Sequence, residues 1–165
     1  MAILAGKTAR DVMQTGLVTL SEESTLADAV QTFEDYKITG APVLDSFGRL
    51  VGVISAADIA NTTHMDDGRL RTERGEYYLA HRADEGEDSD SFEGMSSYNF
   101  SNDDSDRVRE WMSPRVISVD PACALDDVCK RMTDDKVHRV LVTEGDALLG
   151  IITSMDIVRA VANRA

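Results

Sequence analysis

The chain has 165 residues, of which 42% are hydrophobic, so it is long enough to bury a core as one domain or as two small repeats. Its formal net charge of −13 repels nucleic-acid phosphates and anionic lipid surfaces. No apolar stretch approaches the roughly 18 residues that a membrane-spanning helix needs, and residues 1–13 lack the features of a signal peptide. We therefore expect a cytoplasmic protein that binds neither nucleic acid nor membrane.

The first predicted elements lie between residues 18 and 60. A short β-branched run at 18–20 precedes polar residues and then apolar residues at helical spacing. Two strands are expected at 41–44 and Leu50–Ser55, because Asp-Ser-Phe-Gly between them is a hairpin signal. Ser55 suits the N-cap of a closing helix that runs into Ala60. The apolar positions of the first helix are Leu26, Ala29, Val30 and Phe33.

An acidic insert follows at residues 61–107. It contains thirteen acidic residues and five Arg but only four Leu, Ile, Val or Phe residues, too few to offset the entropy cost of ordering. We expect a solvated loop, above all over 84–106, and the carboxylates lack the spacing of an EF-hand. Residues 69–83, which include Tyr77, have approximate helical spacing, so either a helical flap over the core or an irregular segment remains open there.

The same order of elements returns after the insert. A β-branched run at 116–119 precedes a helical pattern, and two strands at 139–143 and 148–153 flank the turn Glu144-Gly145-Asp146. Thr153 suits the N-cap of a closing helix that ends at about Ala162. The apolar positions of the first helix in this copy are Leu125, Val128, Cys129 and Met132.

The two copies are a tandem repeat. At a shift of 99 residues seven identities fall in order, and at a shift of 98 four more follow, because one residue is lost in the hairpin turn. Neither copy alone buries enough apolar surface easily. We therefore predict an α+β fold of two β-α-β-β-α repeats, at 8–60 and 108–162, packed by pseudo-two-fold symmetry and separated by the acidic insert. The identical pairs are Arg10/Arg109, Met13/Met112, Leu26/Leu125, Asp28/Asp127, Asp35/Asp134, Lys37/Lys136, Val43/Val142, Gly52/Gly150, Ile54/Ile152, Asp58/Asp156 and Ile59/Ile157.

Each repeat ends in Gly-h-h-[Ser/Thr]-x-x-Asp, where h is a β-branched residue. The hydroxyl residue starts a helix, and a carboxylate such as Asp58 or Asp156 can accept hydrogen bonds from both hydroxyls of a ribose. The alternative is a capping box, which needs no ligand. The occurrence of the motif at equivalent positions in both repeats favours a binding site.

A second segment whose side chains could bind a ligand runs from Lys136 to Val142. His138 and Arg139 lead into a strand there, and the forked guanidinium of arginine suits phosphate oxygens. The alternative is an arginine paired with one of the many surface acids. The equivalents in the first repeat, Thr39 and Gly40, are uncharged, so two sites built on these positions are predicted to be chemically unequal.

With these motifs in place, the chain resembles a tandem pair of cystathionine-beta-synthase (CBS) domains, a Bateman module. The resemblance covers about two thirds of the protein and is carried by Arg10-Asp-Val-Met13, by Arg109-Glu-Trp-Met112 and by the two glycine-to-aspartate endings. It implies a sensor of adenosine ligands, which are AMP, ADP, ATP or S-adenosylmethionine, with clefts between the repeats and frequent pairing into homodimers.

The resemblance also implies the residues of a first site. Asp58 would hold the ribose, Val116 and Ile117 would flank the adenine, and His138 with Arg139 would hold phosphate. The hydroxyl near ribose or phosphate and the wall of the same site would come from Ser55, Val53 and Ile54.

A second, weaker site is implied at the equivalent positions. Asp156 and Thr153 would contact the ligand there, together with the backbone around Val18 and Thr19. Because Thr39 stands where the pattern has a cation, this site should prefer a ligand with little phosphate, or stay empty.

The sequence contains no arrangement typical of an enzyme. Neither a nucleophile–base pair, nor a Gly-rich phosphate loop, nor a metal-ligand cluster is present, and Cys123 and Cys129 lack metal spacing, so we expect unpaired thiols in a reducing compartment. We predict a non-catalytic regulatory module, without a catalytic cofactor or metal, that signals to an unknown protein in trans. The alternative is a ligand-independent homodimerisation module. Apolar stripes on the helices Leu26–Tyr36 and Leu125–Asp135 are expected to meet in the dimer.

Overall fold

The structure, a computed structural model, describes residues 6–60, 77 and 106–162, which form two compact units. We call residues 18–60, 77 and 106–116 the Asp58 unit, and residues 6–17 and 117–162 the Asp156 unit, after an aspartate in each. Residues 6–17 and 106–116, at the start of each repeat, thus fold with the sheet of the other repeat. Most of the acidic insert, including the possible helix at 69–83 apart from Tyr77, lies outside the described residues.

The Asp58 unit contains a three-stranded sheet in the order β1-β2-β3. Strand β1 runs parallel to β2, and β2 pairs antiparallel with β3. The described elements of this unit are β1 (Leu20–Ser21), α2 (Leu26–Tyr36), β2 (Gly40–Leu44), β3 (Leu50–Ser55), α3 (Ala56–Ala60) and α4 (Val108–Trp111).

The Asp156 unit repeats this topology in the sheet order β4-β5-β6. Strand β4 is parallel to β5, and β5 is antiparallel to β6. The described elements are α1 (Ala9–Val12), β4 (Ser118–Val119), α5 (Leu125–Asp135), β5 (Arg139–Glu144), β6 (Ala147–Thr153) and α6 (Ser154–Ala162). The predicted α+β fold with a strand-helix-strand-strand-helix repeat is therefore confirmed.

The hairpins explain the one-residue change in the repeat shift. Both hairpins have a register shift at the same place, after Val43 in one and after Val142 in the other. Beyond it, β2 and β3 are joined by a turn in which Asp45 accepts backbone hydrogen bonds, whereas β5 and β6 close on a tight turn at Gly145 with φ of 60°. A glycine at the first central position is what a type II′ hairpin turn requires.

Two one-turn helices were not predicted from the sequence. Helix α1 and helix α4 carry the Arg-x-x-Met segments, and each contains only four residues, too few for a visible helical period. Main-chain bonds hold them in place: Ala9 N donates to Cys123 O at 2.8 Å, and Val108 N donates to Ser24 O at 2.9 Å.

The methionines of these segments explain the motif glycines. A Cβ atom on Gly150 would lie 2.6 Å from the carbonyl oxygen of Gln14 and 3.0 Å from the Met13 sulfur. A Cβ on Gly52 would lie 2.7 Å from the Ser113 carbonyl oxygen and 2.9 Å from the Met112 sulfur. Because the nearest atom in each case is a backbone oxygen, a Cβ atom would force the main chain to shift, so both positions favour glycine.

The apolar faces of the two long helices are buried. Leu26 and Phe33 of α2 lie in a core cluster with strand residues such as Val43 and Ile54, and Leu125 of α5 is likewise fully buried. The expectation that these stripes are left for a partner is therefore wrong, since the folded chain already covers them. The larger exposed apolar side chains on a helix include three on α6, namely Met155, Val158 and Val161.

Candidate functional site

In the Asp58 unit, the end of β3 holds a carboxylate in a fixed orientation. Oδ2 of Asp58 accepts hydrogen bonds from the Ser55 backbone N–H at 2.8 Å and from its hydroxyl at 2.7 Å. The Asp58 backbone N–H in turn lies 3.2 Å from the Ser55 hydroxyl oxygen, which completes the capping box. Ser55 is buried, whereas Asp58 is half-buried.

The Asp156 unit contains the same box at the end of β6. Oδ2 of Asp156 accepts from the Thr153 backbone N–H at 2.8 Å and from the Thr153 hydroxyl at 2.7 Å. The second oxygen is also engaged: Oδ1 accepts from Gln14 Nε2 at 2.7 Å and lies 3.4 Å from a terminal nitrogen of Arg159. Only 6% of the Asp156 side chain is exposed.

Gln14 is held beside this aspartate by its main chain. Its backbone N–H and carbonyl exchange hydrogen bonds with Ile151 at 2.8 and 3.0 Å. Ser113 occupies the equivalent position in the Asp58 unit and exchanges the same pair of bonds with Val53 at 2.8 and 3.0 Å. The backbone geometry is therefore repeated, while the side chain it presents differs.

Gln14 was not among the functional residues expected from the sequence. The available signal was its position directly after the Arg-x-x-Met segment, one repeat shift from Ser113. Nothing in one sequence reveals that this segment folds against the sheet of the other repeat, where Asp156 lies.

The uncharged positions Thr39 and Gly40 have a structural explanation. A Cβ on Gly40 would lie 2.7 Å from the Ile54 carbonyl oxygen and 2.8 Å from Cδ2 of Tyr77, whose side chain is fully buried. A side chain at this position would force the Ile54 backbone and the Tyr77 ring to shift, so the fold favours glycine over a counterpart of Arg139. The Thr39 carbonyl accepts from Ala56 N at 2.9 Å, and its buried hydroxyl has no hydrogen-bond partner within the part of the chain that the structure describes.

His138 and Arg139 lie at the start of β5, as the sequence predicted. Arg139 pairs with Thr153 across the hairpin and is only 6% exposed. His138 is exposed, and its carbonyl oxygen accepts hydrogen bonds from the backbone N–H and the hydroxyl of Ser154, which begins α6. Arg139 therefore lies opposite Thr153, the residue that forms the capping box with Asp156.

The remaining predicted site residues lie in strands or directly before them. Val53 and Ile54 are fully buried in β3, and Ile54 packs in the core of the Asp58 unit. Ile117 is 4% exposed, and its carbonyl oxygen accepts from Leu141 N at 3.0 Å. The other three positions, all half-buried, are Val18, Thr19 and Val116. Their contact with a ligand stays a prediction.

Neither cysteine is disposed to act as a nucleophile. Cys123 and Cys129 are unpaired, as predicted. Burial, followed by the charges of Asp127 and Asp120, raises the pKa of Cys123, and burial with the charge of Asp126 raises the pKa of Cys129. Both thiols are therefore protonated at neutral pH, the less reactive form.

Among residues 6–60, 77 and 106–162, no helix has the length and apolar character needed to cross a bilayer. Nor do three or more His, Cys, Asp or Glu side chains come together there in a group that could hold a metal ion.

Comparison with known proteins identifies the family. The CBS domain model matches twice, at residues 9–63 and 108–163. Among curated proteins, the uncharacterized protein MJ1426 of Methanocaldococcus jannaschii is 30% identical over 154 residues, which is 92% of this chain and 89% of that protein.

Solved structures show the same fold. The crystal structure of CBSX2 in complex with AMP has a TM-score of 0.66 at 23% identity and covers 96% of this chain and 98% of its own. The CBS domain pair of protein MJ0100 in complex with 5′-methylthioadenosine and S-adenosyl-L-methionine has a TM-score of 0.63 at 19% identity, with the same coverage. The two family matches, the repeated sheet and the repeated capping box agree: the chain belongs to the CBS domain family and carries its domain in tandem.

Proposed function

We propose that this chain is a non-catalytic regulatory module that binds an adenosine ligand, AMP, ADP, ATP or S-adenosylmethionine, and signals to a partner protein in trans. The observation that carries the proposal is the Asp58 carboxylate, half-buried and oriented at the end of β3 by the Ser55 backbone and hydroxyl. A carboxylate fixed in this way is suited to the two neighbouring hydroxyls of a ribose, because an ionised carboxylate accepts hydrogen bonds on both oxygens.

Arg139 is the residue that we assign to phosphate. A chain with a net charge of −13 repels anions, so an anionic ligand needs a locally placed cation. Arg139 has its guanidinium on a side chain only 6% exposed, where charge-assisted hydrogen bonds are stronger than in water. His138, its neighbour, adds ring nitrogens at the exposed start of the same strand.

The related structures support an adenosine ligand over other small molecules. CBSX2 was solved with AMP, and the MJ0100 pair with 5′-methylthioadenosine and S-adenosyl-L-methionine. These ligands share the adenosine group and differ in charge, which agrees with a ribose contact common to the family and a variable contact beyond it. In this chain the variable contact is Arg139, which favours a phosphate.

Thermal unfolding with a panel of adenosine ligands tests the proposal. A ligand at 100 times its dissociation constant stabilises the folded state by about 2.7 kcal/mol, and adenosine, AMP, ADP, ATP and S-adenosylmethionine can be compared directly. Mass spectrometry of the denatured, freshly purified protein would identify a ligand that co-purifies. No shift with any adenosine ligand would refute the proposal.

Asp58→Ala separates binding from folding. The variant loses a capping box, which costs about 1 kcal/mol of stability, together with the ribose contact, so AMP affinity should fall while the protein still folds. Asp28→Ala is the matched control, because Asp28 forms the same box with Thr25 on α2 and has no assigned ligand contact. Equal AMP affinity in both variants, measured by calorimetry, would contradict the role of Asp58.

The second candidate is a ligand-independent homodimerisation module. The observation in its favour is the apolar row on α6, where Met155, Val158 and Val161 are 38%, 58% and 40% exposed. A dimer would have twice the chain's mass of 18.1 kDa, about 36 kDa, by light scattering. If the dimer forms through α6, Val158→Asp should give the monomer, and a dimer with no thermal shift from any adenosine ligand would favour this candidate.

A further inference from the structure

The Asp156 carboxylate is already saturated by the chain's own donors. Its Oδ2 accepts two hydrogen bonds from Thr153, at 2.8 and 2.7 Å, and its Oδ1 accepts one from the Gln14 side-chain amide at 2.7 Å. The Arg159 guanidinium lies 3.4 Å from the same Oδ1 and balances the charge. With 6% of the side chain exposed, little of this aspartate remains accessible.

The Gln14 side chain donates to Asp156 the kind of hydrogen bond that a ribose hydroxyl would donate. A ribose hydroxyl binds a carboxylate by donating an O–H, and the Gln14 amide donates an N–H to the same acceptor. A ligand at Asp156 must therefore displace a hydrogen bond to an ionised group, and such bonds are among the stronger ones in proteins.

One difference between the units lies at the residue directly after the Arg-x-x-Met segment. Gln14 and Ser113 have the same main-chain pairing, with Ile151 and Val53 respectively, so their side chains leave the backbone at equivalent points. The serine hydroxyl is too short to extend as an amide does. Asp58, whose unit carries Ser113, is half-buried, whereas Asp156 is 7% exposed.

We propose that Gln14 is a specificity-determining residue: its side-chain amide occupies the carboxylate of Asp156 in place of a ribose, so that the chain binds one adenosine ligand, at Asp58. The inference rests on the proposed function, since it assumes that Asp58 takes a ribose. Of the two implied sites, the one at Asp58 would then bind ligand, and the one at Asp156 would be blocked by Gln14.

Calorimetric titration with adenosine tests the inference through stoichiometry. The wild type should bind one adenosine per chain, and Gln14→Ser, which installs the residue of the other unit, should bind two. Asp58→Ala should abolish the wild-type site. The double variant Gln14→Ser/Asp58→Ala should bind one adenosine, at least tenfold more tightly than Asp58→Ala alone, because the competing hydrogen bond to a charged group is gone.

Gln31→Ser is the matched control. Gln31 also donates its side-chain amide to an aspartate, Asp35 Oδ1 at 2.8 Å, but on the exposed face of α2. This variant loses the same kind of bond and should keep a stoichiometry of one. Two sites in Gln31→Ser would show that loss of any such bond opens the protein and would overturn the role of Gln14.

Failure of the inference and failure of the proposed function give different results. Two sites in the wild type, or no site in the double variant while Asp58-dependent binding persists in the wild type, would overturn the inference alone. No adenosine binding by the wild type would refute the proposed function and with it the site at Asp58, and a site gained in Gln14→Ser would then support only the block of Asp156 by Gln14. If circular dichroism shows that Gln14→Ser is unfolded, the wild-type stoichiometry decides. One adenosine per chain supports the block of Asp156 by Gln14, and two overturn it.

Discussion

The Asp58 and Asp156 units carry the same aspartate in the same capping box, but the residue that the neighbouring main chain presents differs. In the Asp156 unit the preceding segment offers Gln14, whose amide reaches Oδ1, and in the Asp58 unit it offers Ser113. The glycine and methionine that hold this segment against the sheet are identical in both units. The glycine and methionine are thus the same in both repeats, while the residue that we propose controls access to the Asp156 carboxylate lies one position after the shared Arg-x-x-Met segment.

Replacing the motif glycines should give the largest effect and tests whether the backbone is held alike in the two units. Gly150→Ala and Gly52→Ala each place a Cβ within 2.7 Å of a carbonyl oxygen and against a methionine sulfur. Because a backbone atom cannot move aside cheaply, each should lower the free energy of unfolding by about 3 kcal/mol, at the upper end for overpacking. Urea denaturation measures both, and a loss below about 0.5 kcal/mol in either unit, the range typical of innocuous surface changes, would show that its segment is loosely held.

Arg139→Ala tests the assignment of Arg139 to phosphate by comparing the affinities for AMP and adenosine. The charge-assisted bonds lost are each worth roughly 1.5 to 3 kcal/mol, so AMP affinity should fall about tenfold to a hundredfold, whereas adenosine affinity should change little. Calorimetry with both ligands gives the comparison. Arg49→Ala, which removes an exposed arginine paired with Asp45 in the other unit, should leave both affinities unchanged.

Equal losses for adenosine and AMP would contradict this assignment. Arg139 has only 6% exposure and lies opposite Thr153 in the hairpin, so a structural role would affect every ligand alike. In that case Arg139 would support the fold of β5, and the phosphate contact would have to be assigned to another residue.

Much of the fold could be predicted from the sequence because its periodic elements are long enough to show a period. Helices α2 and α5 fall at Leu26–Tyr36 and Leu125–Asp135 as expected, and β3 at Leu50–Ser55. Helices α1 and α4 were missed because four residues cannot display helical spacing.

The candidate site was predictable only in part. The capping boxes of Asp58 and Asp156 could be read from local spacing, because the donors lie three residues away. The Gln14–Asp156 bond spans 142 residues, and the packing of Tyr77 on Gly40 depends on the insert, so neither leaves a local pattern. The first contact follows from the exchange of the segments that begin each repeat, and the second from the insert, so only the fold reveals them.

The helix N-termini offer a smaller test of the same comparison. Thr25 caps α2, with its hydroxyl 3.1 Å from the Asp28 N–H, whereas Ala124 begins α5 without a side-chain cap. Thr25→Ala should cost about 1 kcal/mol of stability, and Ala124→Thr should add up to that amount by forming the box with Asp127. Thermal unfolding of both variants measures these changes in stability. No stabilisation by Ala124→Thr would mean that the bond from Leu125 N to Lys7 O already fixes this helix start.

The hairpin turns give the smallest expected effect, and it depends on pH. The Arg49 backbone N–H, followed by the Arg49 side chain and the Phe47 N–H, lowers the pKa of Asp45 below its ordinary value. A carboxyl with a lowered folded-state pKa stabilises the protein above its unfolded pKa of about 3.9, and this contribution is lost as the pH falls through the folded value. Asp45→Asn should therefore be less stable than the wild type near neutral pH, and the difference should shrink below about pH 4. Urea denaturation at pH 7 and at intervals down to pH 3 measures this difference, and Asp146→Asn, in the tight turn of the other hairpin, should leave stability unchanged. A difference that widens as the pH falls would show that the negative charge of Asp45 does not stabilise its turn, and the contrast between the two hairpins would then rest on the backbone alone.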